Sequence, residues 1–192
     1  MPKMVSGEER LRIKNTMHEK TIELIKKRGL KKVTVEDVCA AVNIGKGTFY
    51  SYYKSKEDLL YEVVKACEQN AFAKITAALG DGAGFKERIH ALFREVYLAP
   101  DSIVLYVKPA DMDWLLRKMP AEYYEREEKK AVNYFGLFMT ALKTDPEKID
   151  IGVLSGMTEI ITSAAVDEKY SEKTKQTIMD ILIMSLADYL LQ

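Results

Sequence analysis

The sequence predicts an all-α protein. Apolar residues recur at spacings of three and four along most of the 192-residue chain, whereas alternating β-branched runs are few. Glycine and proline are sparse, and Pro100, Pro109, Pro120 and Pro146 fall at the boundaries of the periodic segments. Hydrophobic residues make up 47% and charged residues 30%, the balance of a globular chain with a sizeable core in one or two domains.

The first three predicted helices occupy the N-terminal third. The first ends at Gly29, after a run of cations that suits the negative end of a helix dipole. Thr34 and Asp37 have the spacing of a capping box and start a short second helix. Asn43, which tolerates the left-handed conformation, marks a tight turn, and a third short helix begins around Gly45.

A long fourth helix follows a second capping-box pattern. Ser55 and Asp58 form this pattern, and the helix continues toward Leu79, where the glycine-rich stretch 80–84 ends it. Proline falls at the boundaries of the later segments, where a helix tolerates it. The remaining predicted helices cover 85–98, 102–107, 111–118, 121–142, 146–166 and 171–191.

Several classes of protein and site are not indicated. No apolar run approaches the ~18 residues of a membrane span, and the first 15 residues lack the apolar segment of a secretory signal, so we expect a cytoplasmic protein without a membrane partner. Cys39 and Cys67 form no CxxC pair, and no metal-ligand spacing joins them to His18 or His90. We expect no metal, no cofactor and no enzymatic activity.

Residues 34–51 read as helix, tight turn and helix, which is the helix-turn-helix arrangement whose second helix can lie in the DNA major groove. The first 60 residues hold 13 Lys and Arg against 8 Asp and Glu, which suggests an anionic partner. Chance variation in surface charge explains that asymmetry equally well. A helix-turn-helix can also be a packing unit with no role at DNA.

The stretch TVEDVCAAVNIGKGTFYSYYKSKEDLL (34–60) resembles the DNA-binding signature of the TetR family of bacterial transcription regulators. The resemblance covers about residues 9–65. It implies an N-terminal three-helix helix-turn-helix DNA-binding domain at 1–56, joined to a C-terminal helical ligand-binding and dimerisation domain at 57–192.

The resemblance also implies which residues contact DNA. Phe49 and Tyr53 match internal positions, while Gly47 matches a position where the backbone approaches DNA. Gly45 replaces the serine that often caps the recognition helix, and Ser51 replaces a larger side chain, so base readout at Ser51 is open. The expected DNA-binding residues are Thr34, Lys46, Gly47, Thr48, Tyr50, Ser51, Tyr52 and Lys56.

Aromatic and methionine side chains after residue 96 are candidates for an adaptable apolar ligand pocket. Each of them is equally compatible with a simple core position. The expected ligand-binding residues are Tyr97, Tyr106, Met112, Trp114, Tyr134, Phe135, Phe138 and Met139, with Met157 as a further candidate, and the stretch 106–120 is expected to form a pocket wall.

The last predicted helix is apolar around much of its circumference, which favours burial on two sides. Gly152 and Gly156 in the preceding helix permit close approach of another helix. The resemblance implies that these two helices form a four-helix bundle in a homodimer; the alternative is that both lie inside a monomer core.

These observations predict a DNA-binding transcription regulator. We expect a repressor that binds a palindromic operator in double-stranded DNA and is released by a small apolar or aromatic effector of unknown identity. Two alternatives stay open: a family member that acts without a small effector, and a helical small-molecule-binding module with no role at DNA.

Overall fold

The computed structural model describes residues 6–78, 84–99, 102–142 and 144–191, and these residues form helices and turns with no strand. The predicted all-α class is therefore confirmed. The α-helices of the described residues are α1 (Gly7–Arg28), α2 (Val35–Val42), α3 (Lys46–Tyr50), α4 (Lys56–Ala78), α5 (Phe85–Leu92), α6 (Pro109–Leu116), α7 (Ala121–Leu142), α8 (Ile151–Val166) and α9 (Glu172–Leu190).

Local capping accounts for the boundaries of the N-terminal helices. Thr34 Oγ1 accepts a hydrogen bond from the Asp37 N–H at 3.1 Å, and the Asp37 carboxylate accepts one from the Thr34 N–H, also at 3.1 Å. Asn43 has φ 58° and ψ 50°, the left-handed conformation expected of the turn. At the end of α1, Gly29 has φ 80°, which glycine adopts without steric cost.

Two later segments differ from the helices predicted for them. The segment predicted as a helix over 102–107 forms only a 3₁₀ turn at Ile103–Leu105. The predicted helix at 146–166 is split into a 3₁₀ turn at Pro146–Lys148 and α8. Asp150 explains the split, because its carboxylate accepts hydrogen bonds from the first N–H groups of α8 and so fixes a new N-cap.

The buried apolar side chains form two cores. The N-terminal core contains the buried residues of α1 to α4 together with Ile103, Val107, Leu115 and Leu116. The C-terminal core is built mainly from α5, α8 and α9. The predicted domain boundary between residues 56 and 57 stays a prediction. The N-terminal core extends past this position, because it includes buried residues of α4 and of the segment 103–116.

An apolar surface runs along α8 and α9. Ile151 is 57% exposed, Ile160 is 56% exposed and Ile181 is 61% exposed, although each belongs to a strongly apolar helix. The opposite side of α9 is buried in the C-terminal core. No helix of the described residues combines the length and hydropathy that a membrane crossing requires.

Thr21 provides a test of the N-terminal core. Its side chain is fully buried in α1, and its Oγ1 has no hydrogen-bond partner among the described residues. Because an unsatisfied buried hydroxyl is destabilising, we expect Thr21→Val to raise the free energy of unfolding by about 1 kcal/mol. The measurement is urea denaturation. Thr16→Val is the control, since the Thr16 hydroxyl donates to the Arg12 carbonyl at 3.0 Å. A Thr21→Val variant less stable than wild type contradicts this account of the core.

Candidate nucleic-acid interface

The helix α3 has only five residues, and its position depends on one aromatic anchor. Phe49 is 0% exposed in the N-terminal core. Its ring meets the Tyr50 ring edge to face, with centroids 5.3 Å apart, and lies 6.0 Å from the ring of buried Tyr53. A helix this short is not stable by itself, so tertiary packing through Phe49 holds it in place. The inward positions expected for Phe49 and Tyr53 are confirmed.

The end of α3 is fixed by a residue of α1. Arg10 Nη2 donates a hydrogen bond to the Ser51 carbonyl at 2.8 Å, and its guanidinium carbon lies 4.6 Å from the centroid of the Tyr52 ring. Ser51 Oγ donates to the Thr48 carbonyl at 2.7 Å. Sequence reasoning missed Arg10, since an arginine in the first turns of a long helix has no motif that points to α3.

Most of the expected DNA-binding residues share the outer surface of α2 and α3. Tyr50 is 55% exposed, whereas Tyr52 is half-buried beneath Arg10. A Cβ built on Gly47 would meet no described heavy atom within 4 Å, so the surface is open there. The exposed members of the expected set are Thr34, Lys46, Gly47, Thr48, Tyr50 and Ser51.

Lys46, the first residue of α3, forms an ion pair across the turn. Its Nζ lies 2.5 Å from Glu36 Oε1 in the first turn of α2. The hydrogen bond from Lys46 holds the pKa of the Glu36 carboxyl below its usual value and raises the pKa of the Lys46 ammonium. Both side chains are exposed, so the pair is available to a ligand that approaches this surface. Glu36 was not among the expected site residues.

Lys56 has partners inside the molecule. Its Nζ donates to the Val33 carbonyl at 3.1 Å and lies 5.5 Å from the Trp114 ring. These contacts connect the start of α4 to the segment before α2 and to α6. The phosphate contact expected of Lys56 stays a prediction. The phosphate contact expected of Thr34 also stays a prediction. The Thr34 hydroxyl donates to the Asp37 carboxylate at 2.8 Å.

A half-buried histidine packs behind α3. His18 Nε2 lies 2.8 Å from Tyr53 Oη and 3.4 Å from Glu62 Oε1. Burial lowers the pKa of His18; the Glu62 carboxylate opposes this shift, and the Lys14 ammonium adds to it. Burial also raises the pKa of Tyr53. His18 is therefore neutral in the folded protein near pH 7.

This arrangement predicts a pH-dependent stability. The unfolded chain binds a proton at His18 near pH 6.5, whereas the folded chain binds it only at lower pH, so the free energy of unfolding falls as the pH drops through that window. We expect urea stability to fall between pH 7.5 and 5.5, and His18→Gln to reduce that fall. His90→Gln, which removes the other histidine, is expected to keep it. An equal fall in wild type and His18→Gln contradicts the assignment.

The expected ligand-binding residues do not share one pocket. Tyr97 lines a cavity of about 260 Å³ between the segment 104–109 and α8, and burial raises the pKa of its hydroxyl. Met139 is buried in the C-terminal core, and Met157 packs against the same core. The side chains of Tyr134, Phe135 and Phe138 lie outside the described residues. The candidates Tyr106, Met112 and Trp114 pack against the N-terminal core.

Comparisons with known proteins cover the same N-terminal unit. Residues 19–63 match the model of the bacterial regulatory proteins of the tetR family. Over 66 residues the chain is 35% identical to the uncharacterized HTH-type transcriptional regulator YhgD of Bacillus subtilis (strain 168). The aligned stretch covers 34% of this chain and 35% of that protein. Over 79 residues it is 29% identical to the HTH-type transcriptional repressor KstR2 of Rhodococcus jostii (strain RHA1). This alignment covers 41% of this chain and 39% of that protein.

A solved structure extends the similarity to the whole fold. A TetR family transcription regulator from Marinobacter aquaeolei VT8 superposes with a TM-score of 0.63 over 96% of this chain and 98% of that one, at 15% sequence identity. At this identity the likeness is one of fold. The sequence matches to curated relatives span little more than a third of those proteins. The matched family consists of transcription regulators rather than enzymes. The helix-turn-helix, the family match across residues 19–63 and the shared fold together support a transcriptional regulator of the TetR family.

Proposed function

We propose that the chain is a homodimeric transcription regulator that binds operator DNA through α2 and α3 and is released by a small ligand. The observation that carries the proposal is the outer surface of α2 and α3. A buried Phe49 holds α3 from behind, while Lys46, Gly47, Thr48 and Tyr50 stay exposed on the other side. In a helix-turn-helix, this is the surface that enters the major groove.

The chemistry of this surface suits a nucleic-acid backbone. Thr48 and Tyr50 carry exposed hydroxyls that can donate to phosphate oxygens, and Lys46 provides a cation at the first turn of α3. Gly47 leaves room for DNA to approach the α3 backbone. The excess of basic residues in the first 60 positions favours the same partner.

The exposed apolar surface of α8 and α9 supports a homodimer. Ile151, Ile160 and Ile181 are large apolar side chains that a monomer leaves in water. Gly156 lies on α8 with Ile151 and Ile160. A Cβ built on Gly156 would meet no described atom within 4 Å, so a helix of a second copy can approach closely. Two copies joined at this surface present two α3 helices to two half-sites of a palindromic operator.

The DNA-binding proposal is tested by the salt dependence of binding to a duplex recovered by selection from random DNA. Lys46→Gln is expected to weaken binding and to reduce the slope of log K against log salt by about one per chain, because one cation at the DNA surface is lost. Lys20→Gln is the control: Lys20 forms a similar ion pair with Glu23 at 2.9 Å, but on α1. The titration also gives the stoichiometry, for which we expect two chains per duplex.

Equal slopes for wild type and Lys46→Gln contradict the proposed role of Lys46, and recovery of no duplex favours a helical binding module without a role at DNA. Lys56→Gln belongs in the same series. A slope reduced by one supports the phosphate contact that the family resemblance implies. An unchanged slope with a lower free energy of unfolding assigns Lys56 to its contacts with Val33 and Trp114.

The cavity beside α8 is the proposed effector site. Its apolar wall includes Tyr97, Val104 and Leu154. Thr158 and Thr162 line the same cavity and donate their hydroxyl hydrogens to carbonyls of α8, which leaves their lone pairs to accept from a ligand. A volume of about 260 Å³ accommodates a small, mainly apolar molecule with one or two donor groups.

The same cavity is connected to the N-terminal core through α6. Lys108 and Pro109 line the cavity at the start of this helix. In the first turn of α6, the Asp111 carboxylate lies 3.1 Å from Lys31 Nζ, and farther along the helix Trp114 packs beneath Lys56. A ligand that displaces the start of α6 therefore changes contacts made directly with the DNA-binding unit. The ligand shifts the equilibrium toward the arrangement that it binds more tightly.

The coupling is tested with compounds that raise the melting temperature in a panel of small apolar molecules. We expect such a compound to weaken operator binding by a coupling of ~1–3 kcal/mol. Asp111→Asn is expected to keep operator affinity without compound and to reduce the coupling. Asp113→Asn is the control, because Asp113 pairs at 3.0 Å with Arg117, the C-cap residue of the same helix. If bound compounds leave operator affinity unchanged, the protein acts without a small effector.

A further inference from the structure

We propose that Glu36 and Lys46 together read one G·C base pair in each half-site, with the Glu36 carboxylate accepting from the cytosine amino group and Lys46 donating to guanine. The inference rests on the proposed DNA binding and adds a base-reading residue that the sequence did not indicate. It assigns a carboxylate, rather than a further cation, to sequence readout.

The geometry places the carboxylate against base edges. Lys46 is the first residue of α3, and residues at the start of a recognition helix contact base edges in the major groove. Glu36 Oε1 lies 2.5 Å from Lys46 Nζ, although the two residues belong to different helices. A group this close to Lys46 enters the groove with it. The Glu36 side chain is 63% exposed, so a base edge can approach its carboxylate.

The neighbouring acid behaves differently. Asp37 is turned back toward the protein, where it accepts from the Thr34 N–H at 3.1 Å and from Arg28 Nη1 at 2.5 Å. Asp37 therefore caps α2, whereas the Glu36 carboxylate faces Lys46 and the N–H of its own residue. An exposed carboxylate on a surface that meets phosphates is repelled by them, unless it faces a hydrogen-bond donor. In the major groove, the donors on base edges are the amino groups of cytosine and adenine.

The order of hydrogen-bond donors and acceptors on the major-groove edge of each base pair distinguishes these two amino groups. The cytosine amino group lies at one end of its pattern and has guanine O6 as its single neighbouring acceptor. The adenine amino group lies between two acceptors, adenine N7 and thymine O4, which repel a carboxylate on both sides. The Glu36–Lys46 pair presents an acceptor beside a donor. It therefore matches cytosine N4 beside guanine O6.

The test is selection of binding sites from randomised duplex DNA by wild type, Glu36→Gln and Glu23→Gln. Glu23 is the matched control: its side chain is also 63% exposed and pairs with a lysine, Lys20, but on α1. Both variants remove one negative charge, but only Glu36 lies on the surface that is proposed to meet DNA. Circular dichroism checks that each variant is folded.

We expect wild type and Glu23→Gln to recover the same site, with C·G at one symmetry-related position of each half-site. Glu36→Gln is expected to lose that cytosine or replace it with adenine, since glutamine pairs with adenine. On the wild-type site, replacing that C·G pair is expected to weaken wild-type binding about fivefold or more and to change Glu36→Gln binding far less.

Two results overturn the inference while leaving the proposed DNA binding intact. In one, Glu36→Gln recovers the wild-type site with only a uniform change in affinity, which makes Glu36 a counter-ion of Lys46. In the other, the wild-type site contains no fixed C·G pair. A folded wild-type chain that recovers no site overturns the proposed DNA binding as well.

Discussion

Burial of the Phe49 ring is the contact on which the DNA-binding surface depends. A five-residue helix makes too few backbone hydrogen bonds to persist alone, so its position comes from the anchor on its inner side. Phe49 is buried in the N-terminal core, where its ring contacts the rings of Tyr50 and Tyr53. Because the anchor faces inward, the rest of α3 faces outward, and the inner residue thereby orients the proposed base-reading surface.

Further contacts tie this surface to the rest of the chain. Arg10 holds the end of α3 from α1, while Lys56 and Lys31 connect the N-terminal unit to α6. The segment from Ile103 to Leu116 consequently belongs to the N-terminal core on one side and borders the cavity beside α8 on the other. In the proposed switching, α6 is the connecting helix, since it touches both regions.

The sequence predicted the features that depend on local chemistry. The capping box at Thr34, the left-handed Asn43 and the inward Phe49 follow from residue types at fixed short spacings, and the structure confirms them. The Glu36–Lys46 pair was not predictable in this way, because it depends on how two helices cross the turn. Packing of Tyr106 and Trp114 against a core some fifty residues earlier in the chain was likewise not predictable, because single-chain periodicity shows that a side chain is buried but not what covers it.

The central claim, that the first turns of α2 and α3 meet DNA, is tested most directly by amide hydrogen exchange with and without the selected duplex. The first N–H groups of a helix lack intrahelical partners and exchange quickly in the free protein. The account predicts that the duplex slows exchange at residues 35–36 and 46–48, and that a scrambled duplex of equal length slows it less at 46–48. Exchange at these amides that is unchanged by the selected duplex, with slowing elsewhere in the chain, contradicts the claim.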